Sequence, residues 1–229
     1  MSQQERRWTK RVDQWHSHVN SAAGFEKVLD ALVARAEPRP DDVAVDLGAG
    51  TGFVTMALAP KVASILAVDI SPAMTEELAK NAAEAGLSNV TAEVGDLTSF
   101  ALPPASVDLI VSSYVLHHLL DPGKQALVRE SINWLKPGGR LVIADMMFGR
   151  GGTARDRAIL KQKAVALAKK GPGGVWRIAK NLGRYGLGVG GEHPATPEFW
   201  QQALRDAGYT GVAFTPVVAE AGLVSGQKP

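Results

Sequence analysis

Residues 43–55 read VAVDLGAGTGFVT, an apolar run that breaks into glycine at Gly48, Gly50 and Gly52. A short apolar run ending in turn residues is a buried strand entering a tight turn. Glycine adopts positive φ without strain and leaves no Cβ in the way of a ligand. The chain must therefore bury a strand inside a sheet and open its carboxyl end onto a group that the backbone approaches closely.

The same rhythm recurs along the chain. Extended runs at 65–70, 90–96, 108–114 and 140–146 alternate with helical segments near 53–59, 72–85 and 121–135. The middle helix carries its own punctuation: Ser71 as N-cap, Pro72 at the first helical position, Met74 facing inward and Gly86 at the end. KPGG is expected to close the third helix. Upstream, Phe25, Val28, Leu29, Leu32 and Val33 recur at helical spacing within 5–36, until Pro38 and Pro40 end the pattern. Strands alternating with helices imply a parallel sheet covered on both faces, and right-handed crossovers make it a doubly wound, Rossmann-like α/β fold. After 146 the pattern changes. Residues 149–195 are rich in Gly, Lys and Arg; Thr196 and Pro197 then start a helix. Two extended pieces, 211–217 and 219–226, are joined too tightly for a helical crossover and should form a hairpin, its last strand antiparallel to its neighbour.

Composition excludes several classes. With 229 residues, 45% hydrophobic and 21% charged, the chain suits a soluble globular domain. No apolar run reaches the roughly 20 residues of a membrane helix, and the N-terminus lacks the apolar stretch of a secretory signal. Cysteine is absent, which removes disulfides, thiolate catalysis and cysteine-held metals. A cytoplasmic protein without a metal site is the expectation.

The glycine turn discriminates between two chemistries. Dinucleotide binding uses G-x-G-x-x-G, and here the sixth position counted from Gly48 is Phe53; the frame starting at Gly50 fails as well. The alternative is an acid followed by G-x-G-x-G, met by Asp46, Gly48, Gly50 and Gly52. Asp69 ends the next run, 17 residues after Gly52, where a carboxylate can accept ribose hydroxyls. DISPAM, GDLTSF, DLIVSSYVLHHL and LKPGGRLVIAD then follow in order. Across 43–145 this set resembles the class I S-adenosylmethionine-dependent methyltransferases.

The resemblance implies strand order 3-2-1-4-5-7-6 with one antiparallel strand near the end. It implies S-adenosylmethionine as cofactor and S-adenosylhomocysteine as product. The cofactor residues would be Asp46, Gly48, Ala49, Gly50, Gly52, Asp69, Ile70, Met74, Asp96, Leu97, Ser112 and Ser113. Among them Met74 would pack on adenine, Asp96 would meet its amino group, and Asp46 would organise the turn and help hold the α-amino group. The chain would be a single domain: helical cover 1–40, cofactor core 41–146, lid insert 147–195, and final helix and hairpin 196–229.

Methyl transfer is an in-line displacement in which the protein mainly positions the nucleophile, and a base is needed only when that nucleophile must lose a proton. His117 is the candidate base, because imidazole titrates near neutrality. Asp145 is the second candidate. Trp15, His18, Tyr114, His118, Met146 and Arg177 are candidates for the acceptor side, with Trp8 and His16 near them in sequence. SSYV stands where methyltransferases of DNA bases and protein amides carry Asn/Asp-Pro-Pro-aromatic. A small-molecule acceptor with an O or C nucleophile is therefore expected. From Arg150 to Arg184 ten Lys/Arg face one acid, Asp156, in a chain whose net charge is +2. This insert could be a lid with a solvated face, a site for an anionic or lipid-like acceptor, or a contact with an anionic membrane. Having only Trp176 and Tyr185 as stacking aromatics, it argues against nucleic acid. The oligomeric state is open. Two alternatives remain: an NAD(P)-dependent oxidoreductase on a related sheet, and a methyltransferase-fold protein that holds the cofactor without transferring methyl.

Overall fold

The computed structural model describes residues 23–149, 152–168 and 192–229. Its elements in order are α1 (Ala23–Ala36), β1 (Val43–Leu47), α2 (Phe53–Leu58), β2 (Ser64–Asp69), α3 (Pro72–Glu84), β3 (Val90–Val94), β4 (Val107–Ser113), α4 (Asp121–Trp134), β5 (Leu135–Met146), α5 (Ala154–Ala168), α6 (Pro197–Asp206), β6 (Thr210–Pro216) and β7 (Ala221–Gln227). Short 3₁₀ turns lie at Ala59–Lys61 and Leu116–His118.

The strands form one seven-stranded sheet in the order β3-β2-β1-β4-β5-β7-β6. β1 pairs in parallel with both β2 and β4, while β7 runs antiparallel to β5 and β6. The expected order and the closing hairpin are both present. Strand order reverses at β1, so the crevice between β1 and β4 opens at their carboxyl ends.

Alternation of side chains explains why the sheet is covered twice. Val45, Leu47, Ile110, Leu141, Ile143 and Val224 point into one core with Trp134, Trp200 and Leu204 from α4 and α6. Ala44, Leu109, Val111, Val142, Ala144 and Leu223 point into the other with Val28, Leu32 and Leu58 from α1 and α2. Successive strand residues face opposite layers, so strands apolar at nearly every position need helices on both sides.

Long-range polar bonds seat α1. Arg140 holds the Asp42 carboxylate and donates from Nε to Ala36 O at 3.0 Å, and Arg35 Nε reaches Ser225 Oγ at 2.8 Å. They fix the helix across β5 and β7 and carry Phe25 to the sheet's carboxyl edge.

Three local expectations are revised. β5 begins at Leu135, not 140, because Leu135 pairs with Val107 before a register shift, so KPGG lies within the strand. Ser71 occupies the N-cap of α3, but its side chain makes no capping bond; its carbonyl accepts from Met74 and Thr75. The extended run expected to 96 ends at Val94. Thr196 does cap α6, its Oγ1 accepting from Phe199 N at 3.2 Å. The helix expected from residue 5 is described from Ala23, and Trp8, Trp15, His16, His18 and Arg177 lie outside the described residues.

Candidate active site

The three turn glycines have φ of 77°, 56° and 95° at Gly48, Gly50 and Gly52. A Cβ on Gly48 would lie 2.5 Å from Val115 Cγ1, and one on Gly52 would lie 2.8 Å from Leu78 Cγ. The turn is thus pressed between β4's exit and α3, and only glycine fits it. The amides of Gly48 and Ala49 both donate to Val68 O, at 2.7 and 3.0 Å, folding the turn over β2.

Against this turn lies a cavity of about 650 Å³, its open mouth included. From β1 and β2 come Asp46, Gly48, Ala49, Gly50, Asp69 and Ile70. Met74 comes from α3, Phe53 and Val54 from α2, Phe25 from α1. Ser113, Tyr114, Val115 and His118 close the β4 side.

Two buried carboxylates dominate its electrostatics. Asp46 Oδ2 accepts from Thr55 Oγ1 at 2.7 Å. Burial pushes the Asp46 carboxyl up to about 7, with the Asp69 charge adding and the bonds from Thr55 opposing. Asp69 accepts from Gly50 N and Ser71 N, both at 2.9 Å. Burial raises it too, against the pull of those amides. Both acids have lost solvent, so each is ready for a cationic or hydrogen-bond-donating ligand.

The opposite wall is aromatic. Phe25 stacks on Tyr114 with centroids 5.9 Å apart and meets Phe53 edge-on at 5.4 Å. Tyr114 sits at φ 51°, an uncommon conformation for a bulky residue. Burial raises its phenol well above the usual range, and the charges of Glu220 and Asp145 add to the effect, so it stays a neutral donor.

A family model for the methyltransferase domain matches residues 44–139. An uncharacterized methyltransferase of Geobacillus sp. strain WCH70 is 30% identical over 193 residues, spanning 84% of this chain and 79% of that one. This chain belongs to the class I S-adenosylmethionine-dependent methyltransferase family. Among solved structures, the methyltransferase resembles an S-adenosylmethionine-dependent methyltransferase from Aquifex aeolicus with TM-score 0.65 and 16% identity, over 96% of this chain and 98% of that one. It also resembles the [4+2]-cyclase SpnF, with TM-score 0.65 and 18% identity, over 90% and 81% of the two chains. At these identities the likeness is one of fold.

Not every predicted residue of the methyltransferase reaches the cavity. Asp96 and Leu97 stand in the loop after β3 and are not among its lining residues; Asp96 Oδ1 accepts from Thr98 N and Oγ1 in a local turn. Ser112 is buried and donates to Leu47 O at 2.8 Å, while Ser113 lines the wall. Gly52 shapes the turn from behind. Met146 ends β5 beside Ala221 and does not line the cavity.

The histidine pair divides. His117, the candidate base, is buried behind the lining, with Nδ1 2.6 Å from Asp145 Oδ1. His118 is the histidine on the cavity wall. Asp145 is itself buried and is thereby a partner of His117, not a wall residue.

Sequence reasoning did not single out Lys124, which is fully buried. Its ammonium bonds Asp121 Oδ1 at 2.7 Å and the carbonyl of His193, and sits 5.6 Å above the Phe199 ring. The helical spacing of Phe25 marks it only as helix core, because nothing local to 23–36 says which turn meets the sheet's edge. Phe53 was legible as the residue replacing a glycine, but its place on the wall depends on α1.

The basic segment is only partly described. α5 covers 154–168, capped by Thr153 Oγ1 accepting from Asp156 N while Asp156 Oδ2 accepts from Thr153 N. Residues 150–151 and 169–191, the rest of that segment, lie outside the described residues. No helix among the described residues is long and apolar enough to cross a membrane.

Proposed function

We propose that the cavity holds S-adenosylmethionine and that the protein moves its methyl group to a small-molecule acceptor through an oxygen or carbon nucleophile. The observation that carries this reading is the pair of buried acids, Asp46 and Asp69, facing one cavity across a turn in which all three glycines have positive φ. S-adenosylmethionine brings a sulfonium, an α-amino group and a ribose diol, which are partners for carboxylates. A dinucleotide's pyrophosphate offers Asp46 neither a donor nor a positive charge. The residues therefore fit the sulfonium nucleoside.

When bound, the cofactor supplies an activated methyl carbon, and the chain positions the acceptor and excludes water. Asp69 keeps one lone pair on each oxygen after accepting its two amides, enough for a ribose diol. Met74 and Ile70 offer an apolar face for the purine. Asp46 would take the ammonium end, directly or through water. Phe25, Phe53 and Tyr114 wall the β4 side, where the acceptor would approach.

Titration calorimetry decides the cofactor. S-adenosylmethionine or S-adenosylhomocysteine should bind at micromolar levels and NADH should not; the reverse order would sink the reading. Binding with no S-adenosylhomocysteine formed over a broad panel of phenols, carboxylic acids and amines would favour a scaffold that holds the cofactor without transfer.

A further inference from the structure

Asp145 is surrounded by donors. Its Oδ2 accepts from His117 N at 2.8 Å, its Oδ1 from Met146 N at 2.7 Å, and the same Oδ1 lies 2.6 Å from His117 Nδ1. A carboxylate only accepts, so this inventory puts the ring proton of His117 on Nδ1. The carbonyl of His117 in turn accepts from His193 N, and the carbonyl of His193 from Lys124. His117 is therefore held at its amide, its carbonyl and its ring. Its ring lies 4.0 Å, centroid to centroid, from that of His118 at a tilt of 54°.

We propose that His118 takes the proton from the methyl acceptor, that His117 and Asp145 are positioning residues that aim it, and that the Asp145 charge favours it in its protonated form. The inference rests on the methyltransferase reading above. Of the pair, His118 lines the cavity wall, with Ser113 and Tyr114. Consecutive residues in a 3₁₀ turn point about 120° apart, so the bonds that bury His117 also turn His118 towards the cavity. The ring of His117 limits where the ring of His118 can swing. Behind it Asp145 carries a negative charge out of water, and a positive charge forming on His118 is stabilised by it. Among the described residues, Tyr114, Asp46 and Asp69 line the cavity with His118, Glu220 acts on Tyr114 by its charge, and His193 lies against His117.

The step balances as follows. The acceptor's O–H or C–H proton passes to the unprotonated ring nitrogen of His118. The freed electron pair forms the bond to the methyl carbon while the carbon–sulfur bond breaks, its electrons staying on sulfur. His118 later returns the proton to water. A neutral amine already has its electron pair free and would not need this residue. The acceptor class assigned is a hydroxyl or carbon acid.

The test uses the full chain with ¹³C-labelled histidine and saturating S-adenosylhomocysteine, followed by NMR from pH 5 to 9. The His118 ring should titrate in this window, and Asp145→Asn should move its midpoint down by roughly half a pH unit or more. His117→Asn can still donate to Asp145 but has no ring, and it should leave the midpoint nearly in place while broadening the His118 signal. A midpoint unmoved in folded Asp145→Asn would overturn the proposal; should that variant not fold, a His118 ring that does not titrate in the wild type would overturn it equally. With S-adenosylmethionine and any phenol that the panel shows to be methylated, His118→Ala should lose roughly 10²–10⁴-fold in kcat. Its affinity for S-adenosylhomocysteine should stay within threefold, and wild-type kcat in this variant would also overturn the assignment. Calorimetry with S-adenosylhomocysteine reports separately on the methyltransferase reading, so the two failures are distinguishable.

Discussion

The amide of Gly50 donates to Asp69 Oδ2 at 2.9 Å. One hydrogen bond thus joins the middle of the glycine turn to the acid that ends β2. The second oxygen of Asp69 is held the same way by Ser71 N, so the carboxylate is fixed between the turn and the start of α3. The acid therefore shapes the cavity wall as well as presenting charge to it.

Asp69→Ala removes both functions. Cofactor affinity should fall by about 1.5–3 kcal/mol for lost charge-assisted bonds, roughly 10- to 150-fold. Calorimetry with S-adenosylhomocysteine checks this, and an unchanged Kd would remove Asp69 from the ribose contact. Asp69→Asn should lose less, since its amide oxygen can still accept from one of the two backbone groups.

Asp46 predicts a pH dependence of the ligand-free protein. Its carboxyl is raised from 3.8 to about 7 in the fold, chiefly by burial. A raised group favours folding fully below its unfolded value, and that contribution disappears as pH climbs through the folded value. Between pH of about 4 and about 7, Asp46 should therefore subtract stability progressively. Asp46→Asn should show a flatter stability–pH curve than wild type over this range, read from urea midpoints. Parallel curves would show that Asp46 is not the group responsible.

Gly48→Ala meets two obstacles, a φ of 77° and the Val115 side chain. A loss of about 1–3 kcal/mol in stability is expected, together with weaker cofactor binding as the turn shifts. Adding Val115→Ala should recover the part due to the clash and leave the part due to φ. A double variant no better than the single one would assign the whole effect to the backbone.

Lys124→Met deletes a buried ammonium whose carboxylate partner, Asp121, remains in contact with water. The His193 carbonyl loses its donor, for an expected cost of about 1–3 kcal/mol. In a chain of this size that is a fall of several degrees in Tm, measurable by calorimetry. No change in Tm would mean that the clip between α4 and the His193 segment is not needed to hold that segment.

Much of this protein is readable in its sequence because it is written in local patterns. Val45 and Leu47 against Ala44 is an alternation within one strand. Thr196 with Pro197 is a cap within two residues. Asp46, Gly48, Gly50 and Gly52 lie within one turn, so element order and the acid-glycine wall could be inferred from local patterns, while the strand order followed from the family resemblance. Ser71 shows the limit even there: the right residue at the right place leaves its side chain uncommitted to the cap.

Tertiary structure decided what depends on partners far away in the chain. His117 and His118 are adjacent and chemically identical, and no local pattern ranks them. Asp145, 28 positions on, buries the first and leaves the second on the cavity wall. Lys124 reads locally as an ordinary first-turn lysine, and it is buried only because His193, 69 positions later, crosses above it. Periodicity and turn chemistry act over a few residues and so survive in the bare sequence. The facing of a side chain is settled by packing between segments distant in the chain, and that information exists only once the sheet has brought them together.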